Sequence, residues 1–223
     1  MKKIAIASMT FVILFSSCAI FNKGGKTNSF TGKVKYDIEY EALNLPEQAR
    51  SQLPDNSTLY IKDQKSSTEV ITGMMTRRTI KNAETMYSVN LIDAMGQKFA
   101  IEQSKEDIIA ANKEQPDAEL EFTDNTKTIA GYEAKEVIVT PEEGDPYSVF
   151  YTPEISGKSF NFDSPIFKEI DGLPLEFIVD AKMFKMVMKA QSIEKMKIKD
   201  ETFEIPEGYK KVTKEELQNM FGG

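Results

Sequence analysis

A chain of 223 residues with 35 acidic and 28 basic side chains, no histidine and one cysteine leaves little room for the common enzyme chemistries. Without histidine, and with its single thiol at Cys18, it holds no Cys/His zinc set, Ser-His-Asp triad, Cys-His dyad or intramolecular disulfide. The acidic balance disfavours nucleic acid and anionic lipid surfaces, whereas a 40% apolar fraction is enough for a sizeable packed core.

Residues 1–18 read MKKIAIASMTFVILFSSC. Lys2 and Lys3 give a charged start, residues 4–15 an apolar run, and Ser16-Ser17-Cys18 a small-residue end, the layout of a secretory leader. The run is shorter than the roughly 20 apolar residues that a spanning helix needs. Residues 15–18, Phe-Ser-Ser-Cys, resemble a bacterial lipobox, which implies removal of residues 1–17 and acylation of Cys18 as the new N-terminus. Residues 18–31, rich in Gly, Lys, Thr and Asn, have the composition of a solvated tether. Residues 32–223 remain as a single domain, and no second apolar run is long enough to cross a bilayer. No acidic residue follows Cys18 directly, which by the sorting of such lipoproteins implies outer-membrane attachment facing the periplasm.

Residues 33–41, KVKYDIEYE, alternate strictly, with Val34, Tyr36, Ile38 and Tyr40 on one face and charged residues on the other. Such a half-wet strand belongs to an antiparallel sheet. Residues 46–53 read as a short helix opened by Pro46. Residues 58–63 with 67–72, and 73–81 with 85–92, read as hairpins, and 98–102 as a further strand. Ser104 and Asp107 form a capping pattern for a helix through residue 112. Strands follow at 119–123, 127–129, 135–140 and 147–151. The acidic turn at 141–146 lacks the ligand ladder of a calcium loop and reads as solvated, with no metal site. Residues 156–172 carry Phe160, Phe162, Ile166 and Phe167 through a loop-like stretch, so they are expected to fold over the sheet as a flap. In the long strands 173–181 and 185–199, alternation puts Met186, Met188 and Ala190 on one face and Val187 and Ile193 on the other. A capping box at Thr213 and Glu216 opens a last helix, whose Leu217, Met220 and Phe221 are expected to lie on the sheet.

Four segments in order, Ile129-Ala130-Gly131-Tyr132-Glu133-Ala134-Lys135, residues 147–153 ending Thr152-Pro153, Gly172-Leu173-Pro174-Leu175 and Phe203-Glu204-Ile205-Pro206-Glu207-Gly208-Tyr209, resemble envelope lipoproteins of Bacteroidota. The domain of that family is similar to the lipoprotein carriers LolA and LolB. The resemblance spans residues 30–220 and implies a mainly β (α+β) fold: a strongly curved antiparallel sheet forming an unclosed half-barrel, with short helices or loops over its concave face. It brings no catalytic residue.

A one-sided curved sheet needs apolar material against its concave face, and acyl chains supply it where side chains do not, at about 0.8 kcal/mol per buried methylene. The sequence therefore supports a membrane-tethered binding protein for a lipid, an acyl chain or a lipoprotein. The lining expected from alternation is Tyr36, Ile38, Phe177, Val179, Met186 and Met188. The alternative is a non-catalytic scaffold of the envelope whose interior is filled by its own side chains. An enzyme would have to rest on a carboxylate pair, and no pair stands out. No cofactor is implied, and oligomeric state is open.

Overall fold

The computed structural model describes residues 30–41, 50, 52–73, 75–115, 117–180 and 184–221. The leader, Cys18, the tether up to residue 29, and most of the stretch 46–53 expected to be helical lie outside these residues.

Among the described residues, alternation and turn chemistry give twelve strands. β1 (Gly32–Glu41), β2 (Asn56–Lys62), β3 (Lys65–Ile71), β4 (Met75–Asn82), β5 (Tyr87–Ala94) and β6 (Gln97–Gln103) precede helix α1 (Lys105–Lys113). After it come β7 (Ala118–Ile129), β8 (Tyr132–Pro141), β9 (Tyr147–Thr152), β10 (Leu173–Asp180), β11 (Lys185–Lys195), the two-residue β12 (Lys210–Lys211) and helix α2 (Lys214–Phe221). All belong to one curved sheet in the order β12-β6-β5-β4-β3-β2-β1-β11-β10-β9-β8-β7. Every pairing is antiparallel except that of β12 with β6. The two ends of this order do not pair, so the sheet is an unclosed half-barrel. Both capping boxes form: the Asp107 carboxylate accepts from the Ser104 amide at 2.8 Å, and the Glu216 carboxylate accepts from that of Thr213 at 2.8 Å.

The flap between β9 and β10 spans much of the curved sheet. Asp163 accepts from Lys81 on β4 at 2.6 Å, while Ile170 packs with Val137 and Val139 on β8. Seven strand spacings separate β4 from β8, about 34 Å in a flat sheet. Seven residues of flap reach at most about 25 Å fully extended, and these include a 3-10 turn, Phe167–Glu169. The flap thus crosses the inner side of the curved sheet from β4 to β8. Further ties are the Ser66 hydroxyl donating to the Ser159 carbonyl at 3.0 Å and Lys81 donating to the Phe160 carbonyl at 3.0 Å. The flap's base is cinched by Asn161 donating to the Gly172 carbonyl, and a side chain at Gly157 would collide with both groups.

Which face is buried changes across the sheet. Val34, Tyr36, Leu59, Ile61, Leu175 and Ala190 form an inner core with Ile155 and Phe160 of the flap. From Leu59, cross-strand partners on the same inner face run Thr68, Thr79, Asn90 and Ile101, a mostly polar row. The opposite row, Tyr60, Ser67, Ile80 and Val89, is outer, and with Leu91 and Ala100 it packs beneath Ile198, Phe203, Ile205 and Tyr209. The chain between β11 and β12 is thus a strap across the outer face of β2–β6.

Four expectations change. The strand expected at 185–199 ends at Lys195, because the chain leaves the sheet there to form the strap. A register shift in β1–β11 pairs Tyr36 with Ala190 and Val34 with Ile193, so Ile193 joins Ala190 on the inner face, not Val187 on the outer. The segments 119–123 and 127–129 are one bulged strand, β7. The last helix also differs: Leu217 is half-buried and Met220 exposed, because strap residues already cover the sheet.

Candidate functional site

The six residues expected to line a ligand site fall on three adjacent strands and one face. Ile38, Met188 and Phe177 are direct cross-strand partners on β1, β11 and β10, and Met186 and Val179 form the next row with Tyr40. Tyr36 lies one row deeper, opposite Ala190, with its ring edge-on to Phe177 at 5.8 Å. Phe177 in turn meets Phe167 of the flap edge-on at 5.4 Å. The deep end is therefore closed by an aromatic chain from strand to flap.

Burial grades along these rows. Tyr36 and Ile38 belong to the core, whereas Phe177, Val179, Met186 and Met188 are half-buried. The Tyr36 hydroxyl donates to the Pro174 carbonyl at 2.8 Å, and burial pushes its phenol far above the ordinary range, so it is a neutral anchor. In the outermost of these rows Tyr40 packs edge-on to Phe184 at 5.4 Å and donates to the Pro54 carbonyl at 2.6 Å. The result is an apolar patch on three strands that is half-buried at Phe177, Val179, Met186 and Met188. Four clefts stand out on the described surface, and none of these six residues lines them. The largest, about 560 Å³, lies between β6 and the N-termini of α1 and α2, where both helices are already capped by their own side chains. Cys18 lies outside the described residues.

Sequence reasoning missed the polar anchors. Glu136 on β8, 8% exposed, accepts hydrogen bonds from Ser148 at 2.6 Å, Asn125 at 2.8 Å and Thr123 at 2.9 Å. These three donors, led by Ser148, hold its carboxyl below the usual glutamate value. An ionised acceptor so occupied pins the β7 bulge and is poorly suited to proton donation. Its one sequence signal is a glutamate beside the apolar run Val137-Ile138-Val139. On the same outer face Lys127 bridges Glu176 at 2.7 Å and lies 3.5 Å above the Phe150 ring. Among the described residues no group of three or more His, Cys, Asp or Glu side chains is placed to hold a metal ion, and no helix is long and apolar enough to cross a membrane.

No protein family and no curated protein matches the sequence. Among solved structures, PNGF-II is similar over 87% of this chain with a TM-score of 0.56 and 14% identity. The present chain spans 33% of PNGF-II, so what the two share is a fold. MucB aligns over 81% of this chain and 58% of its own, at 12% identity and a TM-score of 0.33, too poor a superposition to carry a fold assignment.

Proposed function

We propose that this protein is a non-catalytic, lipid-anchored component of the bacterial cell envelope, held through Cys18 at the outer membrane on its periplasmic side. In this reading it belongs with the Bacteroidota lipoproteins that its sequence resembles. Its half-barrel takes a hydrophobic ligand, a lipid or acyl chain, at the patch formed by Ile38, Phe177, Val179, Met186 and Met188. One observation carries the reading: apolar residues matched across β1, β11 and β10 stay half-buried beyond the point where the flap's Phe167 stops. Methionine suits a surface that adapts to ligands of varied shape. The Tyr36–Phe177–Phe167 chain limits depth, so the site takes the end of an acyl chain, not a whole lipid.

The flap supports a second reading. Its own apolar residues occupy the inner core, as expected of an envelope scaffold with a filled interior. Mass spectrometry of the purified full chain, with titration of a fluorescent fatty acid, separates the two. The binding reading expects a bound lipid and probe affinity lost on Met188→Asp. Absence of both leaves the scaffold. Incorporation of labelled palmitate into wild type but not Cys18→Ser tests the anchor.

A further inference from the structure

The outermost strand, β7, combines an unpaired edge, an apolar inner row and exposed acidic side chains. It ends the sheet order, so among the described residues its outer edge pairs with no strand, and every second residue of such an edge turns its N–H and C=O outward. Its inner-face residues Ala118, Leu120 and Phe122 stand opposite Pro141, Val139 and Val137 of β8. With Pro165 and Ile166 of the flap, and Asp117, Lys168 and Glu169 at its polar rim, they line a cleft of about 430 Å³. Phe122 is 53% exposed and rests edge-on against Tyr151 at 6.2 Å. The intervening side chains Glu119 and Glu121 are exposed and acidic. The usable run stops at Phe122, where the bulge held by Glu136 breaks the edge.

We propose that residues 118–122 of β7 receive an extended peptide segment of another protein, which adds as a thirteenth strand. Its apolar side chains, at every second position, enter the cleft beneath Ile166. The residues between them are Lys or Arg, facing Glu119 and Glu121. Edge backbone supplies affinity and the alternating cleft supplies selectivity, the division of labour in strand addition generally. Charge decides against the other occupants. Two copies of this chain paired antiparallel about Leu120 would set Glu119 opposite Glu121, a destabilising like-charge pair. A lipid surface would leave the edge N–H and C=O groups unsatisfied. The proposal stands apart from the ligand reading of the inner patch, since the two sites share no lining residue.

The test uses the full chain and a fluorescein-labelled peptide of alternating lysine and valine, read by anisotropy. Two further peptides carry backbone N-methyl groups, one on the valines and one on the lysines. Only one of these frames points its N–H groups at β7, because residues 118, 120 and 122 share one parity. Strand addition expects one methylated peptide to bind about tenfold or more weaker while the other binds as the parent does. Glu119→Lys with Glu121→Lys, at exposed positions, weakens the parent without lowering the melting temperature. Equal binding of both methylated peptides reduces the contact to unspecific charge attraction and overturns the proposal. So does absence of binding, or a dimer in sedimentation that Leu120→Lys dissolves.

Discussion

In β1, β10 and β11 the alternate apolar residues face inward and the flap covers them. In β4, β5 and β6 they face outward, and the strap between β11 and β12 covers them instead. The change happens at β2 and β3. β2 buries Leu59 and Ile61 inside while Tyr60 packs against the outer core. β3 buries Ser66 and Ser67, which point to opposite faces, at 1% and 0% exposure. Small side chains are needed there because flap and strap press on the same strand from both sides. Alternation thus tells a strand that it has a dry face, while the covering segment decides which side of the barrel that face is.

If the halves are separate in this sense, each core should fail without dragging the other with it. Phe203→Ala empties the strap's main contact and should cost about 3–5 kcal/mol. Amide exchange should then accelerate in β4, β5 and β6 before β8, β9 and β10. Leu175→Ala, fully buried in the inner core, should cost about 2–5 kcal/mol with the reverse exchange pattern. β2 amides should respond to both. Uniform acceleration across the sheet in either variant would mean a single cooperative core and end the distinction.

The same division explains what could be read from sequence. The strands of β1 through β6 and β8 through β10 were legible from period-two patterning, and both capping boxes from their spacing, because these signals are local. The flap was legible from Phe160, Ile166 and Phe167, apolar residues with no strand of their own. The strap was not, because Phe203, Ile205 and Tyr209 alternate over too short a run to say what they cover. Ile193 was misplaced because one extra residue opposite the Lys35–Tyr36 step reverses every side chain beyond it. Of the candidate site, alternation found the face and the rows. It could not find the grading of burial, set by how far the flap reaches across these strands.

Smaller effects come from the polar anchors. Lys81→Met removes the bond to Asp163, whose partners are 18% and 24% exposed, so loss of about 1–3 kcal/mol is expected, between surface and buried pairs. It should speed protease cleavage within the flap while leaving exchange in β5 and β6 unchanged. Pairing it with Asp163→Leu should recover part of the loss. Glu136→Gln should cost about 1–3 kcal/mol at neutral pH by weakening three hydrogen bonds to a charged acceptor. Because the folded carboxyl lies below the ordinary 4.5, its stabilisation is full above that value and is lost as pH falls through the folded one. Urea titrations of wild type and variant should therefore converge in acid. A gap that persists unchanged below that window would assign the bulge to side-chain shape, not charge.

The smallest expected effect lies at the C-terminus. Helix α2 has eight residues, too few to be stable alone, and its capping box satisfies its first turn without help from the sheet. Leu217 is only half-buried and Met220 is 47% exposed, so little apolar surface is lost with the helix. β12, one step earlier, covers the β6 edge, and the Val212 amide just after it donates to the Ala100 carbonyl at 3.0 Å. A chain ending after Thr213 should therefore keep the strap, the outer core and the edge cover, and lose about 1 kcal/mol or less. A chain ending after Lys199 loses all of them and should not fold. If removing α2 alone costs as much as Phe203→Ala, the helix shares the work assigned to the strap, and the outer half is held from its edge as well as its face.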